Sequence, residues 1–204
     1  MGQNLRHKSA ETNKEREMNN SLLLLRAIDF AARKHKDQRR KDEEASPYIN
    51  HPVSVALILA EIGAVTDPEI LAAAILHDTL EDTETTSEEL EAKFGQRVRR
   101  IVEEVTDDKS LPKKVRKQLQ IDHAQDLSPD AVLIKLADKT ANVLDVTHSP
   151  PKNWSIERKR EYLDWAESVV KACPKVSAAM EDNFYHALAA GRRVLLSGNV
   201  LLSD

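Results

Sequence analysis

Residues 72–86 read AAAILHDTLEDTETT. An apolar run, Ala72 to Leu76, passes straight into His77-Asp78 and then Glu81-Asp82. Ahead of it, Asp67 and Pro68 supply a cap and a first-turn proline, so the spacing predicts a helix reaching about Thr79 or Leu80. Apolar residues on every side mark that helix as buried. On helical geometry His77 sits over Glu81, while Asp78 sits over Asp82 and near Glu81. Acids therefore collect where the helix leaves the core, and they repel one another unless something positive lies between them. A divalent metal is the economical source of that charge, because imidazole with carboxylate suits Mn²⁺, Fe²⁺ or Zn²⁺. The plain alternative is a solvated helix end leading acids into a loop.

The segments on either side read as helices too. Upstream, NHPVSVALILAEIG (50–63) has Pro52 in a first turn and Gly63 as a stop. SLLLLRAIDFAARKH (21–35) predicts a helix capped by Ser21, with Leu24, Leu25, Ile28, Ala31, Ala32 and His35 on one side. His35 reads as a satisfied core histidine. Between these two lies a charged connection, KDQRRKDEEASPY (36–48). Downstream, Thr86 with Glu89 forms a possible capping box, and Val98, Ile101, Val102 and Val105 recur at helical spacing. Leu111-Pro112 opens a charged helix ending near His123, and Ser128-Pro129 caps DAVLIKLADKTANVLDV. Pro150-Pro151 breaks the chain before SIERKREYLDWAESVVKA, and a last helix spans about Lys175 to Arg192.

Almost nothing alternates with a period of two. The expected fold class is all-α: one compact domain of about ten helices over residues 21–192. Residues 1–20 are polar and mixed in charge, which reads as a flexible arm, and 193–204 as a tail, either a docked strand or unordered.

Composition sets the class. A chain of 204 residues with 41% hydrophobic and 31% charged side chains is globular and fits one ordinary domain. Aromatics are only 4%, so aliphatic side chains and alanine must fill the core. A net charge of −4 gives no support to general nucleic-acid binding. Cys173 is the sole cysteine, which excludes an internal disulfide and a CxxC metal site. No apolar run approaches the roughly 18 residues of a membrane span, and there is no signal-peptide core. Met1-Gly2 is followed by Arg6 where a myristoylation signal has Ser or Thr. The expected compartment is the cytoplasm.

Two further places carry polar residues that do not suit a core. His51 precedes Pro52 where side chains at a helix start can reach a shared cleft. Asp138 interrupts an apolar helix, with Asn142 one turn beyond. Buried unpaired, Asp138 would be expensive, so it should meet a cation, a set of donors, or a neighbour such as Lys135 or Lys139. Together His51, His77, Asp78 and Asp138 would make a two-histidine, two-carboxylate metal site with room for water and substrate.

The set His…His-Asp…Asp resembles the HD superfamily of metal-dependent phosphohydrolases. RKDEEASPYINHP (40–52), AAILHDTLEDTETT (73–86), FGQRVRRIVEEVTDDKSLP (94–112) and IKLADKTAN (134–142) are similar to the (p)ppGpp hydrolase domain of RelA/SpoT homologues. The small, hydrolase-only metazoan type is the best match, over about residues 21 to 190.

The resemblance implies that His51, His77, Asp78 and Asp138 bind Mn²⁺ and that Glu81 and Asp82 carry catalysis by orienting and helping to deprotonate the attacking water. It also implies that Arg40 and Lys41 contact substrate, that Asn142 contacts the nucleotide sugar and that Tyr162 lines the pocket. The implied reaction removes the 3′-pyrophosphate of ppGpp or pppGpp. Small animal-type relatives are also linked to removal of the 2′-phosphate of NADPH, which is the nearest enzymatic alternative. A nucleotide-sensing domain without turnover is the non-enzymatic one, although every metal and catalytic position is present. The chain departs from the family at LADKTANVLDV, where Ala141 replaces an aromatic residue and Leu144 an arginine. Those two positions are where the pocket would be retuned. No synthetase domain and no Gly-rich phosphate loop accompany the hydrolase motifs, and the oligomeric state is left open.

Overall fold

The structure is a computed structural model that describes residues 2–197, with side chains from residue 15 onward. Its helices are α1 (Gly2–Lys34), α2 (Asn50–Glu61), α3 (Pro68–Leu76), α4 (Thr79–Asp82), α5 (Ser87–Phe94), α6 (Gln96–Val105), α7 (Lys113–Asp122), α8 (Pro129–His148), α9 (Ile156–Ala172) and α10 (Ala178–Ser197), with a short 3₁₀ turn at Ala124–Asp126. Among the described residues the only extended pairing is an isolated bridge between Arg39 and Pro47. None of these helices is long and apolar enough to cross a membrane.

Helix α3 is the hub. Asp67 caps it by accepting from the Glu69 amide at 2.9 Å, and Pro68 occupies its first turn. Ala72, Ala73, Ala74 and Leu76 are fully buried, and their small side chains let α1, α2 and α6 close around them. Helix α8 is the second centre, packed by α2, α6, α9 and α10. Gly191 of α10 permits one of these approaches, because a Cβ there would meet Thr147 Oγ1 at 2.6 Å. Replacing Asp67 with alanine removes the α3 cap while Arg97 keeps Glu69 and Asp130. The expected loss is about 1 kcal/mol, a melting-temperature drop of about 2–4 °C, checked by thermal denaturation.

Helix α3 stops at Leu76, three or four residues short of the expected end. His77 Nδ1 takes the Ala74 carbonyl at 2.7 Å, and Thr79 Oγ1 donates to the Leu76 carbonyl at 2.6 Å. Side chains thus occupy acceptors that the next helical amides would use. Asp78 settles at φ −95°, ψ −3°, and the chain re-enters helix as α4.

The amino-terminal expectation is also revised. In place of an arm followed by a helix capped at Ser21, one helix runs from Gly2 to Lys34, and Ser21 Oγ donates inside it to the Glu17 carbonyl. Residues 2–20 contain many good helix formers and no proline. Its buried side is rotated from the expected stripe: Ala27, Phe30, Ala31 and His35 are buried, whereas Leu25 is 63% exposed and Ile28 lies outside as well. Four consecutive leucines leave the phase of the stripe undefined locally, and packing of Phe30 edge-on against Phe94 of α5 sets it. At the other end α10 continues to Ser197, so 193–197 is helix. The rest of the expected tail, with its docked-strand reading, lies outside the described residues.

Candidate active site

Three segments deliver the polar centre. Tyr48 and Pro47 carbonyls accept the His51 and Asn50 amides, turning the chain into α2 so that His51 faces inward, 4% exposed. The break after α3 presents His77 and Asp78, and the middle of α8 presents Asp138. One ligand-type atom from each of His51, His77 and Asp138 lies within 4.8 Å of the others, a set able to chelate a divalent metal. Asp138 Oδ1 is 3.2 Å from His51 Nε2 and 3.9 Å from His77 Nε2. Asp78 adjoins the set, with Oδ2 3.1 Å from His77 Nε2 and 3.8 Å from His51 Nε2.

The donor chemistry fits a metal. The Ala74 carbonyl can only accept, so His77 carries a proton on Nδ1, and its buried Nε2 faces two carboxylates without a hydrogen-bond partner. An imidazole nitrogen aimed at carboxylate oxygens needs a proton or a metal cation between them. Burial alone would lower the His77 pKa, yet Asp78 and Asp138 outweigh it and raise it to about 9. Burial likewise works to raise Asp138, but Lys139, His51 and His77 hold it well below the carboxylate range. This centre is built to attract positive charge.

The supporting contacts are equally specific. Tyr48 Oη donates to Asp78 Oδ2 at 2.6 Å. Asp138 Oδ2 pairs with the buried Lys139 at 3.0 Å, and Asn142 Nδ2 donates to its Oδ1 at 2.5 Å. Asn142 passes the network on, accepting from Arg40 at 3.2 Å, while Arg40 also pairs with Asp145 and stacks over the Tyr48 ring. Glu81 accepts from Arg116 at 3.2 Å and from the Asp107 amide at 3.3 Å. Burial first, then the Asp107 and Asp78 charges, raise Glu81 to about 7. Asp82 accepts from Gln38 at 2.7 Å and pairs with Lys109.

Above this centre opens a cleft of about 620 Å³, continuous through Arg40, Lys41, Asn142 and Tyr162 with a second of about 370 Å³. Tyr162 lies between Trp154 and Trp165, with ring centres 5.6 and 5.4 Å away. The rim is basic: Lys113, Lys114, Arg116 and Lys117 from α7 join Lys41 and Arg158. Burial and then the neighbouring Arg158, Lys41 and Arg116 lower the Lys113 pKa, which marks an excess of positive charge. An acidic floor under a cationic, aromatic rim suits a metal-dependent reaction on a polyanion carrying a planar ring.

The structure thus brings together His51, His77, Asp78, Asp138, Glu81, Asp82, Arg40, Lys41, Asn142 and Tyr162 around one cleft. It does not bring in Ala141, which is buried, or Leu144, which is 37% exposed; neither lines the cleft. On α8 Ala141 lies one turn from Asp138 at i,i+3, whereas Leu144 lies well round the helix from both Asp138 and Asn142. Sequence reading overlooked Tyr48, Gln38, Lys109, Arg116 and the α7 lysines, and assigned no chemistry to Asp107. Trp154 and Trp165 had a signal, being the chain's two tryptophans in a composition poor in aromatics.

Comparisons with known proteins agree with this geometry. The HD domain family model matches residues 27–164. The guanosine-3′,5′-bis(diphosphate) 3′-pyrophosphohydrolase MESH1 of Xenopus tropicalis is 54% identical over 80% of this chain and 92% of its own length. The Homo sapiens protein of the same name is 53% identical, covering 80% and 91%. A solved structure of a metazoan ortholog of SpoT, described as hydrolysing ppGpp and playing a role in starvation responses, superposes with a TM-score of 0.80. It is 42% identical, and the match covers 85% of this chain and 96% of that one. The family match across most of the helical domain, and identity above half to full-length relatives, place this chain in the HD-domain family, among its MESH1-type members.

Proposed function

We infer that this chain is a Mn²⁺-dependent guanosine-3′,5′-bis(diphosphate) 3′-pyrophosphohydrolase, converting ppGpp or pppGpp and water into GDP or GTP and pyrophosphate. The observation that carries the reading is the His51–His77–Asp138 set at the floor of a basic, aromatic cleft. Asp78 is assigned as the fourth ligand beside it. Two imidazoles with carboxylates suit Mn²⁺, Fe²⁺ or Zn²⁺, and the assignment of Mn²⁺ among them rests on the resemblance of the motifs to the hydrolase family. The metal, when bound, supplies a Lewis acid that polarises a phosphoryl oxygen and makes water more acidic.

The remaining work falls to side chains. Glu81, held near neutrality, accepts the proton of the attacking water at a carboxylate oxygen. Asp82 orients that water in line with the scissile bond. Lys41 and the α7 cations bind the phosphates, Arg40 and Tyr162 contact the base, and Asn142 contacts the sugar. We assign the enzyme to the cytoplasm, in keeping with described helices none of which is long and apolar enough to cross a membrane.

Purified protein with Mn²⁺ should release pyrophosphate and GDP from ppGpp, and EDTA should stop it. NADPH belongs in the same assay: phosphate from NADPH with ppGpp untouched would overturn the reading in favour of a 2′-phosphatase. Silence on both substrates in metal-loaded protein would favour a nucleotide sensor.

A further inference from the structure

Helix α1 ends at Lys34 close to the acidic centre, and the next residues form a hydrogen-bonded chain that the reaction as described does not use. Gln38 Nε2 lies 2.7 Å from Asp82 Oδ2, and Gln38 Oε1 lies 2.7 Å from His35 Nδ1. The directions follow from chemistry. A carboxylate only accepts, so Gln38 must turn its amide nitrogen to Asp82, which leaves its oxygen toward His35. His35 must then carry a proton on Nδ1, and its buried Nε2 has no partner.

The chain is fixed from behind. His35 is 2% exposed and packs against the Tyr48 ring with centres 4.9 Å apart. The Gln38 amide donates to the His35 carbonyl at 2.9 Å, and the Gln38 carbonyl accepts from the Tyr48 amide at 3.2 Å. The other partner of Asp82, Lys109, is 48% exposed on a long stem. Gln38 is therefore the rigid contact and Lys109 the loose one. We propose that His35 and Gln38 are positioning residues: His35 sets the rotamer of the Gln38 amide, and Gln38 fixes Asp82 Oδ2 so that the carboxylate meets the attacking water in a single orientation.

This inference rests on the reading in which Asp82 orients the attacking water. Misplacing such a group by about 1 Å is enough to cost up to about 100-fold in rate. The test uses the full-length, Mn²⁺-loaded protein acting on ppGpp. In Gln38→Met, which keeps the length but removes the donor, kcat should fall about 10- to 100-fold while KM and Mn²⁺ affinity stay near wild type. Added to Asp82→Asn, the same change should cost nothing further. His35→Phe should repeat the fall, and His35→Asn, whose amide can donate where Nδ1 did, should recover most of it.

A readout independent of turnover is the Gln38 side-chain amide resonance in ¹⁵N-labelled, metal-free protein. Its protons should be shifted downfield and exchange slowly, and Asp82→Ala, which removes the acceptor, should abolish both properties. Unchanged kcat in Gln38→Met, a loss that adds fully to that of Asp82→Asn, or a loss that follows Mn²⁺ affinity would overturn the proposal. Wild-type protein inactive on ppGpp would count against the function instead. The relay would then stand or fall on whether the Gln38 resonance responds to Asp82→Ala.

Discussion

Asp138→Ala is expected to remove bound metal and turnover together. Asp138 touches His51, approaches His77, and is held from the other side by Lys139 and Asn142. Its loss takes away a ligand atom and the anchor of the whole polar network. The affinity loss should exceed the ~10–100-fold typical of removing a supporting partner of a metal ligand. Lys139, whose side chain is 5% exposed, would be stranded, and an unpaired buried charge costs about 3–5 kcal/mol. Asp138→Asn retains shape and separates the two effects: it should melt closer to wild type and still lack metal by elemental analysis and calorimetric titration. Full turnover by metal-free Asp138→Asn protein would sink the mechanism.

Glu81→Gln should do the opposite to the metal, keeping it bound while turnover falls about 10²–10⁴-fold, the usual weight of a general base. Glu81 lies beside Arg116 and the Asp107 amide, outside the compact ligand set. The sign of its pH effect follows from the direction of its shift. Its folded pKa, about 7, lies above the ordinary value of 4.5, so the fold favours the protonated carboxyl. The stability this contributes is present below about pH 4.5 and is lost as pH rises through 7. Glutamine mimics the protonated form at every pH. Metal-free Glu81→Gln protein should therefore melt above wild type at pH 8 and level with it at pH 4.5, followed by thermal scans. Turnover within about twofold of wild type would remove Glu81 from the catalytic residues.

Much of the fold was legible in the chain itself because helices announce themselves locally. Asp67-Pro68, Thr86 and Ser128-Pro129 stand where helices begin, and each of those caps accepts the expected amide. The apolar positions of α6 fell on the buried side as read. Where local signals were ambiguous, the reading slipped. The leucine run of α1 offered several possible stripes, and the polar residues before it were good helix formers that read as an arm. The stop after Leu76 depended on His77 and Thr79 side chains capturing carbonyls, a competition that apolar periodicity does not register.

The site divides along the same line. Histidine and aspartate next to one another at the exit of an apolar helix, and an aspartate inside another, were visible as residues out of place, and the family motifs joined them into one set. Composition, caps and periodicity are short-range properties, so the sequence by itself determined an all-α domain and the segments from which its chemistry would come. Only the tertiary structure decided that α2, the α3–α4 break and α8 meet within a few ångströms, and that the cations of α7 overhang them. It also brought Tyr48 to Asp78, Gln38 to Asp82 and Arg116 to Glu81. Those contacts join residues tens of positions apart, and which side chains meet across packed helices depends on crossing geometry that no local pattern contains.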